Sequence, residues 1–178
     1  MKTFTETHGD ITIRTASRAE LPAALRVQRA GFTRVANRMK LMPGELPPVR
    51  ETLEEIETLF DQGMVTFLAT VSGTGGVERV VGTVRGFLRK DGTVEIGRLA
   101  VDDGFLRRGI ASMLMLALEK AFPQARRFEL FTGSEASEPL ALYAKLGYRI
   151  YERESFEHWE MVRLEKDAAT ATPGARLH

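Results

Sequence analysis

The sequence predicts a single α/β domain built on a mixed, largely antiparallel sheet flanked by helices. Three observations carry that expectation. The 178 residues, 43% hydrophobic and 28% charged, suffice for one domain with a full core. Short apolar runs separated by Gly-rich turns read as hairpin-linked strands in the middle of the chain. Stripes at helical spacing stand between the later runs, so a strand–helix–strand crossover follows the hairpins.

The elements follow in order. Ile11 to Ala16 alternates apolar and polar residues as a half-buried strand does. Ser17 and Glu20 have capping-box spacing and Pro22 suits a first turn, so a helix runs from there to about Phe32. Met42-Pro43-Gly44 and Pro47-Pro48 read as breaks. An acidic helix over about Thr52 to Gln62 buries Leu53, Ile56, Leu59 and Phe60. Strands are expected over Met64 to Val71 and Val77 to Arg89, joined by Ser72-Gly73-Thr74-Gly75-Gly76. Asp91-Gly92 turns the chain into a third strand ending at Val101. The next helix has Ile110, Leu114, Ala117, Leu118 and Ala121 at core spacing and ends by Pro123. Phe128 to Thr132 is a short buried strand, and a helix over about Ser137 to Leu146 stops at Gly147. Tyr148 to Arg153 and His158 to Leu164 complete the sheet. The domain is read as residues 1–166, with 167–178 as a disordered tail.

Composition excludes several functions. A net charge of +1 does not suit a broad nucleic-acid-binding face. The absence of cysteine removes disulfides, thiolate metal sites and a cysteine nucleophile. His8, His158 and His178 have no metal-site spacing, so no metal is expected. No apolar run reaches the roughly 18–20 residues of a membrane span, and Met1 to Glu6 lacks the apolar core of a signal peptide. The cytoplasm is the expected address.

The most informative segment runs from Val94 to Ser112. A strand ends at Val101, and a helix opens on Arg107-Arg108-Gly109. Helix N-termini carry unpaired N–H groups and partial positive charge, so two arginines there are out of place without an anion. Gly109 in a first helical turn costs about 1 kcal/mol against alanine. Close approach of a pyrophosphate to the backbone would justify that cost. The chain has neither a P-loop lysine nor a G-x-G-x-x-G fingerprint, which argues against a nucleotide site.

Leu106-Arg107-Arg108-Gly109-Ile110-Ala111 resembles the coenzyme A-binding motif of the GNAT N-acetyltransferase superfamily, R/Q-x-x-G-x-G/A, with Leu106 in place of the leading Arg or Gln. Leu142-Tyr143-Ala144-Lys145-Leu146-Gly147-Tyr148 is similar to a second signature of that family, L-Y-x-K-x-G-F/Y. The likeness extends over roughly residues 10–165 and implies a GNAT-like sheet. It implies acetyl-CoA as co-substrate, held through Arg107, Arg108, Gly109, Ile110, Ala111 and Ser112 at the pyrophosphate. The backbone of Leu99, Ala100 and Val101 would hold the pantetheine arm. Many relatives carry asparagine seven or four residues before the helical tyrosine, where this chain has Ala136 and Pro139.

Acetyl transfer to an amine requires a base, because a lysine-like amine has a pKa near 10.4. Glu95, fourteen residues before Gly109, is the candidate; it is also read as a solvent-facing strand glutamate, with water as the alternative acceptor of the proton. Strand alternation places Glu95, Gly97, Leu99 and Val101 on one face unless a bulge shifts them. Tyr143 is the candidate acid for the departing sulfur, as a proton donor or through a hydrogen bond alone.

The expected activity is N-acetyl transfer to a primary amine by direct transfer in a ternary complex. A small-molecule amine and a peptide or protein amine both stand as acceptors, and a catalytically silent acyl-CoA sensor is the rival. Neither nucleic acid nor membrane is an expected partner. Glu51, Glu54, Glu55 and Glu57 form an acidic cluster, read either as a solvated face or as an attractor for polyamine-like or aminoglycoside-like cations. Phe156 and Trp159 are read as core or as a homodimer contact.

Overall fold

The computed structural model describes residues 3–42, 44–157 and 159–168. Among the described residues eight strands form one mostly antiparallel sheet in the order β1-β2-β3-β4-β5-β6-β8-β7. They are β1 (Thr5–His8), β2 (Ile11–Thr15), β3 (Val65–Ser72), β4 (Glu78–Leu88), β5 (Thr93–Val101), β6 (Arg127–Gly133), β7 (Arg149–Ser155) and β8 (Glu160–Asp167). The helices are α1 (Leu21–Arg38), α2 (Pro47–Arg50), α3 (Leu53–Asp61), α4 (Ile110–Ala121) and α5 (Ser137–Lys145). The predicted fold class and the order of its main elements match this architecture. The chain divides into two compact units, Met1–Phe87 with Ile96–Pro123, and Leu88–Glu95 with Gln124–His178.

In the first unit, β3 is buried from Val65 to Val71 because helices cover both of its faces. Leu68 packs with Ala24 of α1 and with Ala16. The next residue, Ala69, shares the opposite face with Gly82, Ile110 and Leu114, so α4 covers that side. A bulge between Ala69 and Thr70 shifts the register against β4. Gly82 and Gly86 let α4 lie close: a Cβ there would come within about 3.0–3.2 Å of Ile110, Leu114, Leu118 or Phe122 side chains. Gly31 does the same for α1, where a Cβ would meet that of Ala100 at 2.9 Å. A capping box between Thr52 and Glu55 starts α3, and Ile56 packs with Leu21, Leu25 and Met64.

In the second unit, β6 and β8 pair antiparallel over Arg127↔Asp167 to Gly133↔Met161. Phe128, Leu130, Val162 and Leu164 are buried with Tyr143 and Tyr148, whereas Phe131 and Tyr151 are exposed. The edge strand β7 is exposed throughout and carries Arg149, Glu152, Arg153 and Glu154, charges that discourage pairing with another chain.

Several expectations need correction. α1 continues past Phe32 to Arg38, with Ala36 buried on its last turn. Pro47-Pro48 opens α2 rather than breaking the chain, because proline's fixed φ suits a first helical turn. β1 lacked an apolar signal and forms as a polar edge strand turned by Gly9 at φ +62°. Asp167 belongs to β8, and the remaining tail residues 169–178 and His158 lie outside the described residues. Phe156 and Trp159 are 43% and 37% exposed and stack on each other at 4.5 Å, so the core reading fails. Among the described residues no helix is long and apolar enough to cross a membrane.

Candidate functional site

The turn into α4 begins after Val101. Asp102, buried, takes Arg26 and Arg79 on its carboxylate at 3.3 and 3.2 Å, and its N–H bonds Val81 at 2.8 Å, which anchors the start of the turn. A 3-10 turn over Asp103–Phe105 follows, then Leu106, Arg107, Arg108 and Gly109. Gly109 is the N-cap at φ +76°, not a residue of the first helical turn. A Cβ there would touch only the Met113 methyl at 3.6 Å, so glycine answers a backbone requirement and not a lack of room. The first intrahelical bond is from Met113 N–H to the Gly109 carbonyl, and no side chain caps the helix. The amides of Ile110, Ala111 and Ser112 thus stand at an uncapped, electropositive helix start.

The two arginines differ. Arg107, exposed and itself left-handed at φ +60°, makes no hydrogen bond or ion pair among the described residues. Arg108 bonds both carboxylate oxygens of Asp10 at 2.8 and 2.9 Å and lies over the Phe105 ring at 5.3 Å. That bond holds the Asp10 carboxyl below its ordinary range. Leu106 is exposed and offers no polar group.

β5 starts as a paired strand and then changes. Its parallel ladder with β6 covers Thr93↔Arg127 to Glu95↔Glu129. Arg98 then takes φ +59°, a left-handed residue inside the strand. The expected common face is broken by it: Glu95 is exposed, whereas Ala100 and Val101 are buried. Glu95 forms an ion pair with Arg89 through one carboxylate oxygen at 2.9 Å. The Val101 carbonyl accepts from Arg34 at 2.7 Å.

A buried cluster that the sequence did not suggest includes Arg98. Glu51, 9% exposed at its side chain, accepts a two-pronged pair from Arg85 at 2.7 and 3.1 Å. Gln28 Nε2 donates to Glu51 at 2.7 Å and also to the Pro48 carbonyl at 2.9 Å. Arg98 Nε donates at 3.2 Å, and Arg29 holds the Glu51 main-chain carbonyl at 2.6 Å. Burial alone would raise the Glu51 carboxyl, but hydrogen bonds from Arg85 and Gln28 with the charges of Arg85 and Arg98 hold it below its ordinary value. The signal for the cluster lies in tertiary pairing of four separate segments, which no local pattern encodes.

The remaining acidic residues are occupied locally or exposed. Glu55 bonds the Thr52 amide, Glu57 pairs with Arg18 at 3.3 Å, and Glu54 faces solvent. Among the described residues no three histidine or carboxylate groups converge as metal ligands would.

In the second unit, α5 carries Tyr143 on its buried side, and Gly147 at φ +94° ends the helix. The Tyr143 ring meets Tyr148 edge-on at 6.0 Å. Its hydroxyl has no hydrogen-bond partner among the described residues, and burial pushes its pKa up to about 12. It therefore stays protonated throughout the neutral range.

A family model described as the acetyltransferase (GNAT) family matches residues 32–148. No curated protein matches the sequence. Among solved structures, the ribosomal-protein-S18-alanine N-acetyltransferase of Escherichia coli is 15% identical with a TM-score of 0.71, covering 94% of this chain and 99% of that one. The PaiA N-acetyltransferase of Thermoplasma acidophilum, in complex with coenzyme A, is 17% identical with a TM-score of 0.72 over 88% and 98%. A spermidine N-acetyltransferase from Vibrio cholerae, with coenzyme A and spermine, is 14% identical with a TM-score of 0.67 over 90% and 97%. At these identities the likeness is one of fold, whereas the family match spans well over half of the sequence and includes both motifs. The chain belongs to the GNAT acetyltransferase family.

Proposed function

We propose that this chain transfers an acetyl group from acetyl-CoA to a primary amine within a ternary complex. The observation that carries the reading is the start of α4: a left-handed glycine cap, amides with no side-chain cap, and an unpaired Arg107 beside them. A pyrophosphate is the anion that such a start accepts, taking the amides of Ile110 to Ser112 and the charges of Arg107 and Arg108. The backbone of Leu99 to Val101, beyond the β5–β6 pairing, suits the amide-bearing pantetheine arm.

Acetyl-CoA supplies an activated acetyl carbon. The neutral amine forms a C–N bond to it, the C–S bond breaks, and coenzyme A leaves as a thiolate that takes up, through solvent, the proton released by the acylated nitrogen. A backbone N–H in the Leu99–Val101 segment meets the charge that develops on the acetyl oxygen. Tyr143 hydrogen-bonds the departing sulfur. Full proton transfer from a phenol near 12 to a thiolate of ordinary basicity runs uphill by about 5 kcal/mol, so the hydrogen bond is the role that the energetics favour. The ammonium proton goes to Glu95 or directly to water. A Glu95→Gln variant separates the two: a base leaves a neutral-pH defect that fades at alkaline pH, and water leaves no defect.

The reading is tested by heating the protein with coenzyme A or with ATP, then by thiol release across a panel of amines. Coenzyme A should protect the fold more than ATP does, and at least one amine should turn over. Protection without turnover across the panel would instead support an acyl-CoA sensor.

A further inference from the structure

The Glu51 cluster holds more positive charge than it neutralises. Arg85 spends both terminal nitrogens on the Glu51 carboxylate. Arg98 spends only Nε, and its two terminal nitrogens have no partner among the described residues. Its side chain is 19% exposed, so the guanidinium is partly open to solvent. Two guanidinium groups against one carboxylate leave a net charge of +1 in a largely desolvated place, where a second anion repays its binding. Burial first and the neighbouring Arg85 charge second push the Arg98 pKa down, the direction expected of a cation short of counter-charge.

The backbone places this group deliberately. Arg98 adopts a left-handed conformation that is strained for a non-glycine residue. The residue that follows is Leu99, the first of the segment assigned above to the pantetheine arm. An anion on Arg98 would thus sit one residue from where the acetyl group is presented. Arg29 adds a further cation beside the cluster through its bond to the Glu51 carbonyl, whereas Arg34, which donates to the Val101 carbonyl, is paired with Asp103 at 2.7 Å.

We propose that Arg98 receives a carboxylate carried by the acceptor, so that the acceptor is a small zwitterionic amine of the amino-acid type and not a polyamine. This rests on the acetyltransferase reading. The carboxylate takes the free face of the guanidinium, the amine points toward the Leu99 backbone, and the chemistry is the transfer already written.

The test uses the full chain with the twenty amino acids, their primary carboxamides and spermidine. Turnover and the melting temperature with coenzyme A present are both read. At least one amino acid should exceed its carboxamide in kcat/KM by about tenfold or more, and spermidine should be poor. Arg98→Gln should bring that acid-to-amide ratio close to one, mainly by raising KM, and Arg98→Lys should retain part of it. A carboxamide or spermidine that matches the best amino acid overturns the proposal. So does an Arg98→Gln variant that slows all acceptors by the same factor. If coenzyme A gives no protection, the acetyltransferase reading itself fails. If coenzyme A protects but nothing turns over, melting decides: amino acids that raise the wild-type melting temperature but not that of Arg98→Gln support the carboxylate site, and no shift in either overturns it.

Discussion

Arginine is used in opposite ways at two places in the first unit. At the start of α4, Arg107 and Arg108 are exposed, and one of them has no partner. At Glu51, Arg85 and Arg98 are mostly buried around a single carboxylate. The first arrangement adds little to stability, because surface charges are screened and mobile. The second is a structural element in its own right, since an unpaired buried guanidinium is expensive. The contrast separates charge held ready for a ligand from charge committed to the fold, with Arg98 standing partly in each class.

The largest effect should come from Glu51. Glu51→Ala leaves Arg85 and Arg98 facing each other without an anion, and breaking such a pair costs about 3–5 kcal/mol. For a chain of this length the melting temperature should fall by roughly 10 °C. The pH dependence has a definite sign. The folded carboxyl is depressed, so its contribution is full above the ordinary glutamate value near 4.3 and is lost as pH falls through the lower folded value. Denaturation of wild type and Glu51→Gln should therefore differ most at neutral pH and converge in acid. Equal stability of the two at pH 7 would show that the cluster is not committed charge.

Tyr143→Phe should come next, and it carries the comparison to the second unit. A hydrogen bond to a charged sulfur is worth about 1.5–3 kcal/mol, equivalent to roughly 10- to 100-fold in turnover. Coenzyme A affinity should not change. Unchanged turnover would remove Tyr143 from the reaction.

Much of the turn was legible in the sequence because its requirements are local. Gly109 and the Arg-Arg pair are adjacent, and the apolar stripe of α4 starts at the next residue. The reason for the glycine was misplaced by one step, from the first helical turn to the cap, because a positive φ leaves no mark on composition. Glu51 was unreadable for the opposite reason. Next to Glu54, Glu55 and Glu57 it looked like one more surface acid, and only the packing of α1, β4 and β5 makes it a buried hub. The same limit explains α2 and β1. Proline pairs signal breaks and helix starts alike, and a polar edge strand has no buried face to announce it.

Gly109→Ala tests the cap. The left-handed position should cost about 1–2 kcal/mol, and a displaced helix start should weaken coenzyme A binding as well. Asparagine, which tolerates this conformation better, should recover part of both losses. Calorimetric titration and thermal melting read the two effects separately.

The smallest effects decide whether the charge at the turn is truly held ready. Arg107 has no partner to lose, and its own φ of +60° is strained, so Arg107→Gly relieves strain while adding freedom to the unfolded chain. These contributions nearly cancel, and the melting temperature should stay within about 2 °C of wild type. Coenzyme A should nevertheless bind about fivefold more weakly, with a shallower dependence on salt, because one phosphate-facing charge is gone. Asp10→Asn should act in the reverse direction: it frees Arg108 from its carboxylate and should tighten coenzyme A by about twofold. A gain from removing Asp10 is the sharper result, since damage to the fold would not produce it.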